Sequence, residues 1–177
     1  MERVEVSSAD AADLTELADV AARTFPLACP PSVSPDNVAA FIAENLTPTH
    51  FARYLRDSER LVLVARRAGR IVGYAMLIRG VGDDDDVRRA VTVRPAVEIS
   101  KMYVLPDDHG AGVSVALMAE ALERAPGLGA KAVWLGVNQR NRRAQRFYAK
   151  HGFEVNGTKT FRLGTRTEND YVMVRPV

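Results

Sequence analysis

Apolar residues follow two rhythms along this chain, and the places where one gives way to the other outline its elements. Arg3 to Ser7 alternates polar and apolar positions, which predicts a short strand, and Ser8 and Asp10 are both competent N-caps for a helix after it. Leu14, Leu17, Ala18 and Ala21 recur at helical spacing, so this helix buries one face and is expected to end near Pro26. Pro and Ser mark a loop from Leu27 to Pro35. A second helix then carries Val38, Phe41, Ile42 and Leu46 on one side, and a third, short one covers His50 to Arg56. Leu61 to Ala65 and Ile71 to Ile78 are continuous apolar runs around Arg66-Arg67-Ala68-Gly69-Arg70, a hairpin with glycine in its turn. Strands this apolar need cover on both faces, so helices pack on each side. Gly80-Val81-Gly82 and the adjacent carboxylates Asp83 to Asp86 break the pattern. Their mutual repulsion predicts a solvated loop tip, and a second reading is a patch that attracts a polycationic amine.

The stretch Ala96 to Ala125 organises the rest. An apolar strand, Ile99 to Leu105, stops at Pro106, turns through Asp107 and Asp108, and reaches the corner His109-Gly110-Ala111-Gly112, which opens into a helix. The first N–H groups of that helix lack intrahelical partners and lie at the positive end of its dipole, so Gly110, Ala111, Gly112, Val113 and Ser114 form a predicted phosphate site. Leu117, Met118, Ala121, Leu122 and Ala125 give the helix its apolar face, and Pro126-Gly127-Leu128-Gly129 ends it. Ala132 to Val137 is the next buried strand, so strand, helix and strand form a right-handed crossover with two parallel strands. A closing helix spans roughly Asn141 to His151, stops at Gly152, and leads to a last pair of strands ending with Tyr171 to Val174.

Length and composition narrow the classes. The 177 residues suit a single domain, 1–177, with one sizeable core. A net charge of +2 gives no reason to expect a nucleic-acid or membrane surface, and no run approaches the length of a membrane span. The N-terminal MERVEVSSADAADL has no apolar signal core, and the single Cys29 has no disulfide partner, so a reducing cytoplasm is the expected compartment. No cysteine or histidine cluster suggests a metal.

The glycine corner is not a dinucleotide fingerprint, because Val115 stands where its third glycine belongs. No Gly-Lys-Ser/Thr exists for a nucleotide-hydrolase loop. Gly112-Val113-Ser114-Val115-Ala116 lacks the last glycine of a nucleophile elbow, and the acid and histidine a hydrolase would need downstream are missing apart from His151 with Glu120 and Glu123. MYVLPDDHGAGVSVALM instead resembles the cofactor motif of the GNAT superfamily of N-acetyltransferases, with His109 where Arg or Gln is usual and Ser114 where Gly or Ala is usual. VNQRNRRAQRFYAKHGF resembles its second block, with Asn141, Ala144, Phe147, Tyr148, Gly152 and Phe153 at matching positions. Along that helix Ala144, Phe147, Tyr148 and His151 form one stripe, toward the sheet, and Arg142, Arg146 and Lys150 another.

The resemblance implies an α/β GNAT fold, a mixed, twisted sheet of about six or seven strands flanked by helices, with a lid over the acceptor site formed by the early helices. It implies acetyl-CoA as acetyl donor, a small-molecule amine as acceptor, and direct attack in a ternary complex. Tyrosine has an ordinary pKa of about 10 against about 8.5 for a thiol, so Tyr148 is protonated at neutral pH and suits the family's role of hydrogen-bonding the departing thiolate. Glu98, on the strand before the corner, is the candidate base; His109 and His151 are lesser ones. Backbone N–H groups near Tyr103 and Val104 are expected to polarise the acetyl carbonyl, the small Ala144 to let the cofactor pass close to the helix, and Asn141 to offer it an amide at the helix N-terminus. The tail GFEVNGTKTFRLGTRTENDYVMVRP together with the corner resembles the bacterial branch that acetylates spermidine and spermine. A non-catalytic acyl-CoA-binding regulator, or an enzyme acting on a protein amine, would keep much of the same pattern, and a homodimer fits the family habit.

Overall fold

In the computed structural model, which describes residues 3–177, each predicted rhythm is resolved into an element. Among the described residues these are β1 (Glu5–Ser8), α1 (Leu14–Ala28), α2 (Pro35–Asn45), α3 (Pro48–Arg56), β2 (Arg60–Arg67), β3 (Arg70–Arg79) and α4 (Asp85–Ala90). They continue with β4 (Ala96–Val104), α5 (Val113–Arg124), β5 (Ala132–Asn138), α6 (Arg142–Lys150), β6 (Glu154–Leu163) and β7 (Arg166–Pro176). The strands make one seven-stranded sheet in the order β1-β2-β3-β4-β5-β7-β6. Only β4 and β5 are parallel, as a right-handed crossover through α5 requires; every other neighbouring pair is antiparallel. This is the GNAT fold in a single α/β domain.

Alternation on the continuous strands builds a core on each side. Leu63, Ala65, Ala75 and Leu77 pack beneath α5 with Leu117, Met118 and Ala121, while Val62, Val64, Tyr74 and Met76 face α1 and α3 with Leu17, Ala21 and Phe51. The β2–β3 hairpin turns on Ala68 and Gly69, at φ 53° and 76°, the left-handed pair that a two-residue turn between twisted strands demands. Asp10 caps the 3-10 turn that leads into α1, with Asp13 returning the bond at 2.9 Å.

Two expectations need correction. The first helix does not stop at Pro26 but runs on to Ala28. Proline removes only one donor, and Phe25, 5% exposed, stacks on Phe41 at 4.3 Å, holding the last turn against the core. The aspartate run is no loop tip. Asp84 accepts from Asp86 N at 2.9 Å and Val87 N at 3.4 Å as the N-cap of α4, with Asp85 and Asp86 in the first turn, where the helix dipole favours carboxylates. No helix among the described residues is long and apolar enough to cross a membrane.

Candidate active site

The site starts from an interruption in the sheet. β4 and β5 are paired only at Ala96–Ala132, Val97–Val133 and Glu98–Trp134, although β4 continues to Val104 and β5 to Asn138. Beyond Glu98 the two strands part, leaving a gap with backbone groups on its walls. On its other side β4 stays bonded to β3, and Leu105 N–H reaches Val72 O at 2.8 Å. Alternation along an antiparallel strand turns the Val104 N–H away from β3, into the gap.

A bulge sets which side chains look into the site. Met76 pairs with Lys101 and Leu77 with Ile99, so Ser100 is an extra residue on β4. Before it, Val97 and Ile99 face the α5 core; after it, Met102 and Val104 do. Glu98, Ser100, Lys101 and Tyr103 therefore all line the same cavity on the opposite face.

Two cavities meet at the gap. One, of about 290 Å³, runs past Val104, His109, Gly110 and Ser114 and along α6 at Arg143, Ala144 and Phe147. The other, of about 310 Å³, lies over the far face of the sheet, among Glu98, Lys101, Phe41, Lys159, Glu168 and Asp170. Tyr103, Asn141, Ala144 and Tyr148 border both.

The first cavity has the features of a phosphate and pantetheine channel. Gly110 and Gly112 have φ of 81° each, a left-handed conformation that lets the corner turn and leaves Gly112 as N-cap of α5. The first bond of the helix runs from Ala116 N to Gly112 O, so the Val113, Ser114 and Val115 amides precede the ladder. Val113 is buried and Ala111 packs against the same core, so this pair contributes main chain, not side chain. His109 Nε2 donates to Val104 O at 2.9 Å, which ties the corner back to β4 while the residue still borders the cavity. Asn141 is also committed locally: its Oδ1 accepts from Ala144 N at 3.1 Å as the N-cap of α6. His151 borders neither cavity; its ring packs on Phe147 at 4.6 Å, and burial, then the nearby Arg175, lowers its pKa.

Tyr148 stands at the junction, its ring edge-on to Phe147 at 5.6 Å and to Phe153 at 6.1 Å. Burial pushes its phenol up to about 12, so it is a donor at any physiological pH. Tyr103 is raised as well, by burial first and then by Tyr148. In the second cavity burial raises Glu98, against the pull of Lys159, Lys101 and Arg60. Burial likewise raises Asp170 to about 6, with Lys159 opposing and Glu168 adding to it. Burial lowers Lys101 to about 8 while Glu98 holds its proton on. Gly136, on β5, keeps this space open, since a methyl group there would come within 3.2 Å of Asp170 Oδ2.

Of the residues expected from the sequence, Glu98, Tyr103, Val104, Tyr148 and the corner at His109, Gly110 and Ser114 border one or both cavities. Lys101, Lys159, Glu168 and Asp170, which the sequence did not single out, line the second cavity. The last two carried one legible signal, polar residues two apart on a strand whose later even positions, Val172 and Val174, are apolar. The aspartate run, Asp83 to Asp86, borders neither cavity.

Known proteins share the sequence family and the fold. The model of the acetyltransferase (GNAT) family matches residues 17–153. An uncharacterised N-acetyltransferase of Mycobacterium tuberculosis is 60% identical over 163 residues, covering 92% of this chain and 97% of that one. Among solved structures, the PaiA N-acetyltransferase of Thermoplasma acidophilum in complex with coenzyme A superimposes with a TM-score of 0.77 at 18% identity, over 99% of both chains. The ribosomal-protein-alanine N-acetyltransferase of Brucella melitensis does so with a TM-score of 0.71 at 22% identity, over 98% of this chain and 99% of the other. With the family model matched across both motif blocks and a relative of this identity along nearly the whole length, the chain belongs to the GNAT family and is an N-acetyltransferase.

Proposed function

We propose that the protein transfers the acetyl group of acetyl-CoA to a primary amine by direct attack in a ternary complex. The observation that carries this reading is the junction: two cavities, one with an anion-binding helix start and one with carboxylates, meet at Tyr148. The coenzyme A complex of the Thermoplasma protein, which shares the fold, supports the choice of donor.

On this reading the amides of Gly110 to Ser114 hold the diphosphate, and Ala144 leaves room for the pantetheine arm against α6. Val104 N–H polarises the acetyl carbonyl within the strand gap. The acceptor must lose a proton before it can attack; Asp170 takes that proton, and Glu98 takes the second one, released as the acetylated nitrogen becomes an amide, both carboxylates lying within the field of Lys159. The neutral nitrogen bonds to the carbonyl carbon, the carbon–sulfur bond breaks, and Tyr148 donates a hydrogen bond to the leaving thiolate. The second cavity holds three carboxylates against two lysines, an acid excess that favours a cationic acceptor of the spermidine or spermine kind.

Free-thiol release from acetyl-CoA, followed with polyamines, aminoglycosides, amino acids and peptides, tests the assignment. Turnover with polyamines is expected. Coenzyme A binding without thiol release from any amine would instead mark an acyl-CoA-binding regulator, and preference for peptides would mark a protein acetyltransferase.

A further inference from the structure

Three carboxylates border the acceptor cavity, and their surroundings differ. Asp170 has Lys159 Nζ at 4.0 Å, and Glu98 lies in the field of Lys159 and Lys101. Glu168 has no lysine beside it, and its one cationic neighbour, Arg166, leaves an oxygen without a hydrogen bond. Glu168 is 5% exposed, its Oε1 makes no hydrogen bond, and it lines the cavity. Arg166 Nε approaches to 3.4 Å without hydrogen-bonding alignment; that side chain is 43% exposed, and its Nη1 donates to Ser32 O at 3.1 Å. A buried carboxylate oxygen without a hydrogen-bond donor costs free energy, and an arriving ammonium group supplies the missing donor.

The position of Glu168 says what kind of molecule brings that ammonium. Residues 168 and 170 share one face of β7 and lie roughly 7 Å apart by strand rise. Asp170 pairs with Asn138 of β5, beside the strand gap, whereas Glu168 lies beyond the end of β5, opposite Phe161 of β6. Phe161 is 5.6 Å from Phe41, which stacks on Phe25, so an aromatic wall adjoins Glu168. A carboxylate at the gap, a second carboxylate farther out and an apolar wall match an alkyl diamine.

We infer that Glu168 is a specificity-determining residue that binds a second ammonium group of the acceptor while the reacting nitrogen sits beside Asp170, so the enzyme selects diamines over monoamines. This rests on the acetyltransferase reading and deepens it.

The test uses the full chain, acetyl-CoA and two acceptors of equal carbon number, 1,4-diaminobutane and 1-aminobutane. The wild type is expected to favour the diamine in kcat/KM by about tenfold or more. In Glu168→Gln this preference collapses, because KM rises several-fold more for the diamine than for 1-aminobutane, with the Kd for coenzyme A little changed. The same substitution raises Tm, because a desolvated charge is removed; a lowered Tm would mean that Glu168 serves a structural pair with Arg166 and would overturn the proposal. So would equal use of both amines by the wild type, a preference that survives in Glu168→Gln, or faster turnover of an α-amino acid, which would point to Lys101 and Lys159 as the recognition groups. Should Glu168→Gln fail to fold, the wild-type ratio decides alone, with Glu168→Asp as the second variant. Coenzyme A binding and turnover without diamine preference sinks this inference only, whereas no thiol release from any amine sinks the enzyme reading beneath it.

Discussion

Replacing Tyr148 by phenylalanine removes one oxygen at the junction of the two cavities and leaves the ring contacts with Phe147 and Phe153 in place. The size of the effect follows from acidity. With the phenol pushed up to about 12 and a free thiol at about 8.5, complete proton transfer to the thiolate is uphill by about 5 kcal/mol. On the proposed mechanism Tyr148 therefore serves as a hydrogen-bond donor to developing charge and not as a full proton source. A hydrogen bond to a charged group contributes about 1.5–3 kcal/mol, so Tyr148→Phe should lower kcat roughly 10- to 150-fold. Thiol release at saturating acceptor and acetyl-CoA reads this directly, and calorimetry should find the Kd for coenzyme A and the Tm nearly unchanged. A loss under about threefold would remove the phenol from the chemistry. A loss beyond about a thousandfold, the range of general acids that transfer the proton fully, would refute the acidity argument.

Asp170 has a folded-state pKa raised from 3.8 to about 6, so its protonated form is favoured by folding and its contribution to stability falls as pH rises through that interval. Asp170→Asn should accordingly be more stable than wild type at pH 7, by at most about 3 kcal/mol, with no difference below about pH 4; urea unfolding at both pH values checks this. The wild-type kcat/KM should rise with pH through about 6, and in Asp170→Asn that limb should disappear. A methyl group at Gly73 would lie 2.9 Å from Tyr103 O and 3.1 Å from Val113 Cγ1, so Gly73→Ala should cost about 1–3 kcal/mol of stability and also weaken coenzyme A binding, because Val113 is the first residue of α5. Asp84→Ala should cost about 1 kcal/mol as a lost N-cap and leave the KM for polyamines unchanged; a raised KM would restore the aspartate run as a substrate site.

How much of this was legible depended on how local each cause is. Pro106, Gly110 and Gly112 act on their own stretch of backbone, so the end of β4 and the start of α5 could be placed from the chain, as could α6 from Asn141, its apolar stripe and Gly152. Asp83 to Asp86 misled because repulsion among neighbours is obvious in a string of letters, whereas the stabilisation of Asp84 to Asp86 at a helix start depends on the turn that follows. Pro26 misled for the opposite reason: a strong local breaker was overruled by the stacking of Phe25 on Phe41, a partner on another helix. Glu168 and Asp170 were hidden because their burial is made by strands and helices distant in sequence. An exposed and a desolvated carboxylate are written with the same letter.

Ser100 is the residue whose presence, more than its identity, matters to this enzyme. It adds one step to β4 between two residues that β3 pairs as neighbours, and so shifts the phase of everything downstream. Removing it would restore perfect pleating and turn the strand inside out from that point: Lys101 and Tyr103 would enter the oily layer under α5, and Met102 and Val104 would take their places over the substrate. The position should thus accept many side chains but no deletion, which makes one unremarkable serine the punctuation mark that keeps this cavity-lining strand in frame.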